Sequence, residues 1–192
     1  RVAVRVGELK TLGLPPYMAS LVVCENISAA GWNGGRPFIE QLSRVLRPYG
    51  GSACLGAEPA EHERIVQLVH AANLPGVNVR REGNLTILSR PGGLADTADW
   101  EHEYGDPANT LTSQDKLVKA PLGVLWYGGA VSGEKYYYDG KVDHQSGHGI
   151  NPNPVMAETI EGRMILQSPG LISAFDMYTG RLLWESNLPS VY

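Results

Sequence analysis

The chain has 192 residues, 43% hydrophobic and 19% charged, with a formal net charge of −4, which is a globular rather than a disordered composition. It contains no run of eighteen apolar residues that could cross a bilayer as a helix, and neither half is basic enough to argue for nucleic acid as a partner. Charge and aromatic content both change near one point: residues 1–92 carry +3 and four aromatics, residues 93–192 carry −7 and eleven, so the expected domains are 1–92 and 93–192.

"RVAVRV" (residues 1–6) alternates and reads as a strand. The chain opens there with neither an initiator Met nor a leader, and so reads as a piece of a longer polypeptide. "SLVVCEN" (residues 20–26) is a continuous apolar run, the pattern of a strand buried on both faces of a parallel sheet. Pro37 opens a helix, with Phe38, Leu42, Val45 and Leu46 at helical spacing. Pro48 and the Gly50-Gly51 pair stop it. "SACL" (residues 52–55) is a short strand, and a second helix runs from about Pro59 to Asn73 with Ile65, Leu68, Val69 and Ala72 on one face. "VNVRRE" and "LTILSR" flank Gly83-Asn84, a two-residue hairpin signal. Alternating strands and helices imply a mostly parallel sheet, to which the hairpin adds one antiparallel strand.

From Leu94 onward the helical pattern ends. Residues 151–186 read as four short strands with turns at Glu161-Gly162, Ser168-Pro169-Gly170 and Thr179-Gly180, the signal of an all-β repeat. The expected fold class is therefore α/β followed by all-β. Gly180 permits a positive φ in its turn. Asp176 and Thr179 have side chains that bond a turn's own backbone. Trp184 is large and flat enough to cover the apolar side of a neighbouring unit.

Three features bear on chemistry. His144 and His148 are four apart, a metal-ligand spacing if helical, but Gly147 and Gly149 argue against a helix and no third ligand stands at a telling distance; Asp143 is near. "DWEHEYGD" (residues 99–106) gathers Asp99, Glu101, Glu103 and Asp106 around His102, either a carboxylate site or a solvated acidic linker, with the linker favoured. Cys24 and Cys54 sit in apolar runs and read as buried reduced thiols; sequence leaves open the adjacency that a disulfide requires.

Two resemblances add to these readings. "FIEQLSRVLRPYGGSACL" (residues 38–55) and "LGLPPYMASLVVCEN" (residues 12–26) resemble the C-terminal half of a class I S-adenosylmethionine-dependent methyltransferase, covering about residues 1–92. The resemblance implies a partial Rossmann-like sheet with Cys24, Glu25 and Asn26 at its carboxyl edge, where such sheets bind ligands. Ser20 stands where the family often has Asp. The family's glycine-rich cofactor turn and its acidic strand end are absent from these residues and would lie upstream. The four residues Ser20, Cys24, Glu25 and Asn26 are the cofactor-edge candidates that this resemblance supplies.

Ala174, Asp176, Thr179, Gly180 and Trp184 match the A-x-D-x-x-T-G-x-x-x-W pattern of PQQ-type (quinoprotein-like) β-propeller blades, and residues 99–129, with "NT" and "KAPLGVLW", resemble the approach to a blade. Together the two resemble large bacterial proteins in which a methyltransferase-like domain is embedded in such a propeller, in a periplasmic or extracellular setting. The implied partners are further propeller blades or another protein chain. No cofactor is expected in this chain alone; S-adenosylmethionine or PQQ would belong to an intact parent. The function so implied is a binding or assembly scaffold, with methyl transfer or quinone-dependent oxidation by the parent as the alternative.

Overall fold

The computed structural model describes residues 2–127, 157–168 and 171–188. Two compact units divide the backbone, Arg1–Ala95 and Asp96–Tyr192.

In the first unit, β1 (Leu21–Cys24), α1 (Arg36–Val45), β2 (Gly51–Gly56), α2 (Pro59–Ala71), β3 (Asn78–Glu82) and β4 (Leu85–Arg90) follow in order. The sheet order is β1-β2-β4-β3, with β1 and β2 parallel and β4 antiparallel to both its neighbours. Proline helps to start both helices. At α2 the start is reinforced by a reciprocal cap: the Glu58 side chain accepts from the Glu61 backbone N–H, and Glu61 Oε2 accepts from the Glu58 N–H at 2.8 Å. Asn73, at φ +48°, ends that helix in the left-handed conformation. Gly83 takes φ +56° as the first of the two residues that close β3 onto β4.

The register of the sheet separates its faces. Val22, Ala53, Leu88 and Val79 form one row across the four strands. That row belongs to the core with Ile39, Leu42 and Leu46 of the α1 region and Ile65, Leu68 and Val69 of α2. The adjacent row, Val23, Cys54, Ile87 and Arg80, lies on the other face because side chains alternate along a strand. Cys24 and Cys54 therefore lie on neighbouring strands but on opposite faces. Both are free thiols, half-buried, and the sheet itself stands between them.

Two expectations fail here. β1 is not buried on both faces: Leu21 and Val23 are 62% and 65% exposed. An apolar run fixes only that both faces could be covered, and the helices cover one. Residues 2–6 form no strand among the described residues, and Val2, Val4 and Val6 lie in solvent. Alternation prepares a strand but does not supply the ladder partner that one requires.

The second unit holds an antiparallel sheet in the order β5 (Glu158–Ile160), β6 (Arg163–Ser168), β7 (Leu171–Asp176), β8 (Leu182–Asn187). Glu161 and Gly162, at φ +46° and +75°, make the tight turn between β5 and β6. Leu166, Leu171 and Phe175 form the buried cluster, with Ala157, Met164 and Trp126 packed against it. The outer edge of β5 is met by Trp100, whose carbonyl accepts from the Thr159 N–H at 2.8 Å.

Candidate functional site

The first unit has a cleft of about 540 Å³ at the carboxyl ends of β1 and β2. Topology brings three connections to this edge: the loop after β1, the start of α2 after β2, and the turn after β3. Glu25 and Asn26 come from the first, Glu58 and Glu61 from the second, Asn84 from the third, and Arg81 reaches in from β3. Gly56 lets the first two connections close on each other, because a Cβ there would collide with the Glu25 carbonyl.

Most of these groups already have structural partners. Asn26 Oδ1 accepts from the Ala29 N–H at 3.0 Å and starts the loop. Glu58 and Glu61 cap α2. Arg81 Nη1 donates to the Ala57 carbonyl at 3.2 Å. On the same turn of α2, His62 Nδ1 lies 3.0 Å from the hydroxyl of the fully buried Thr86. Glu25 differs: its exposed carboxylate has no hydrogen bond or ion pair among the described residues. Three carboxylates against one guanidinium favour a cationic or hydrogen-bond-donating ligand over an anion.

Of the four cofactor-edge candidates, only Glu25 and Asn26 line this cleft. Ser20 precedes β1, at the far end of the strand, where its carbonyl accepts from the Ser52 N–H at 3.1 Å. Cys24 packs toward the helix-side core instead. Sequence reasoning missed Glu58, Glu61, Arg81 and Asn84. Only the capping pattern at residues 58–61 could have flagged two of them, and it signals a helix start rather than a site.

The second unit presents a different arrangement, built on the turn from β7 to β8. Asp176 is fully buried, and its Oδ1 accepts from the N–H groups of Tyr178 and Thr179 at 2.9 and 3.1 Å. Gly180 sits at φ +67°. The indole of Trp126 lies against that glycine, where any Cβ would run into the ring, and its Nε1 donates to the Met177 carbonyl at 2.8 Å. Ala174 is fully buried opposite Trp184, yet Trp184 itself is 45% exposed. The β7–β8 part of this sheet thus carries two indoles: one docked on the turn, one half in water.

The remaining candidates resolve into turns or fall outside the described residues. Asp99 Oδ2 accepts from the Glu161 N–H at 3.0 Å. Asp106 accepts from Thr110 Oγ1 at 2.6 Å and from the Thr110 and Ala108 N–H groups. Those bonds, the Thr110 hydroxyl first, hold its carboxyl below the ordinary value. Among the described residues no group of three or more His, Cys, Asp or Glu side chains could hold a metal ion. His144 and His148 lie outside the described residues, as does the Tyr136-Tyr137-Tyr138 run. No described helix is long and apolar enough to cross a membrane. No protein-family model, curated protein or solved structure matches the chain.

Proposed function

We propose that this chain is part of a binding or assembly scaffold, in which a methyltransferase-like lobe is joined to a PQQ-type propeller segment that docks to like units through tryptophan. One observation carries the reading: Trp126 seats its indole on the Gly180 turn while Trp184, four residues beyond that glycine, leaves its own indole 45% exposed. A sheet that receives one indole and offers another has the two complementary ends of a serial contact. Repeat units that cannot cover their own faces are completed by neighbours in this way. The test is calorimetric titration of the full chain with S-adenosylmethionine and, separately, with PQQ. The scaffold reading expects no saturable heat from either. Saturable micromolar binding of one would replace the scaffold with an enzyme of that class.

A second reading, methyl transfer by the first unit within an intact parent, draws its support from the cleft. Its position at the carboxyl edge of the sheet, and the Glu25 carboxylate in it, unpartnered among the described residues, are what a small-molecule acceptor carrying a cationic or donor group would need. Glu25→Gln distinguishes the two readings, because it alters ligand binding in the second and nothing measurable in the first.

A further inference from the structure

We propose that the open edge of β1 accepts residues 2–6 of a second copy of this chain as an added strand, and that the exchange is reciprocal. The two edges of the first sheet are built differently. The β3 edge carries Arg80, Arg81 and Glu82, charges of the kind that discourage another chain from pairing there. The β1 edge is Leu-Val-Val-Cys, with no charge and no proline. Among the described residues its backbone is unpaired along one side, and Leu21 and Val23 stand 62% and 65% exposed on the face that the helices leave uncovered. An unprotected apolar edge is the surface to which strand addition occurs, with main-chain bonds giving affinity and alternate side chains giving register.

The occupant is named by the second anomaly of the same unit. Residues 2–6 have the period-two pattern of a strand, yet Val2, Val4 and Val6 are 95%, 87% and 98% exposed and pair with nothing among the described residues. Laid antiparallel beside β1, those valines form one row that extends the Leu21 and Val23 face with their N–H groups toward β1, and Ala3 and Arg5 turn to the other side. A foreign strand on β1 would cover the edge and leave the three valines in water. A second copy satisfies both needs at once, since among the described residues each molecule carries both the apolar β1 edge and the unpaired segment 2–6. Exchange about a two-fold axis then closes the assembly at two copies rather than leaving a growing filament.

The experiment is sedimentation of the full chain over a wide micromolar range, beside the Val4→Pro variant. Proline at position 4 removes a ladder donor, and since residue 4 is exposed and unpaired the substitution leaves the fold of either unit intact, which circular dichroism checks. The expected result is a dimer for the parent chain and a halved mass for Val4→Pro. A second arm uses Val4→Cys and Val23→Cys, each placed in a chain also carrying Cys24→Ser and Cys54→Ser. On mild oxidation, a mixture of the two should yield a disulfide-linked pair of copies. A parent chain monomeric throughout overturns the proposal. So does a dimer that survives Val4→Pro, which puts the contact elsewhere. So too does a chain carrying both cysteines that closes on itself as a monomer, which makes its own segment the occupant.

Discussion

The two units bury their apolar surface by different routes. In the first, the helices that connect the strands also cover them: Ile39, Leu42, Leu46, Ile65 and Leu88 are all within 1% of full burial, and all but Leu88 come from the connecting helices or the residue that follows one. Covering and connecting are the same piece of chain. In the second, the turns between strands are too short to cover anything. Leu166, Leu171 and Phe175 rely on Trp126, a residue well outside the sheet's own sequence, to close over them. A self-covering sheet is specified locally. A sheet covered from a distance depends on one or two long-range contacts, so single substitutions there should have disproportionate effects.

That contrast can be broken at several points. Phe175→Ala should be the most damaging change, costing about 3–5 kcal/mol as a fully buried aromatic is lost. The loss should appear only in the second unit, with amide exchange in α1 and α2 unchanged. Loss of protection in both units would show that they do not fold separately. Trp126→Ala should follow at about 2–3 kcal/mol, because the indole is half-buried and also loses its bond to the Met177 carbonyl. Trp184→Ala should cost about 0.5 kcal/mol or less, the ordinary range for an exposed position. If chemical denaturation ranks the two tryptophans the other way, the docking assignment at Gly180 is wrong.

The smallest effect belongs to Asp106. Its carboxyl is held below the ordinary value of about 3.9 by the Thr110 hydroxyl and neighbouring N–H groups. A depressed folded value contributes stability above the ordinary value and loses it as pH falls through the folded one. Acidification to below the ordinary carboxylate range should therefore loosen the 106–110 turn, seen as a shift of the Thr110 amide resonance. Asp106→Asn should abolish that shift and leave the β5–β8 sheet untouched.

Local patterns were legible where local chemistry decides the outcome. The spacing of Phe38, Leu42 and Val45 behind Pro37 marks α1, and Gly83-Asn84 marks the hairpin, because each depends on residues within a few positions. Residues 2–6 and β1 misled for a common reason. Alternation or an apolar run states what a segment could cover, but the partner decides what is covered. The cleft was legible only in part: Glu25 and Asn26 were candidates, whereas Glu58, Glu61, Arg81 and Asn84 belong to separate connections that only the β1-β2-β4-β3 order gathers at the same edge. Trp126 lies in the 99–129 stretch that stands out by its aromatics, but its pairing with Gly180 lies across most of the second unit and leaves no periodic trace.

The placement of the two cysteines gives the first sheet a reporter on each side. Cys54 shares the face of Val23, and Cys24 looks toward the helices. Their alkylation rates are consequently separate gauges: the Cys24 thiol responds when α1 or α2 loosens, and the half-buried Cys54 thiol responds to changes on the face that it shares with Val23 and Ile87. A single chain, unmutated and unlabelled, can thus distinguish a change in its own folding from the arrival of a visitor.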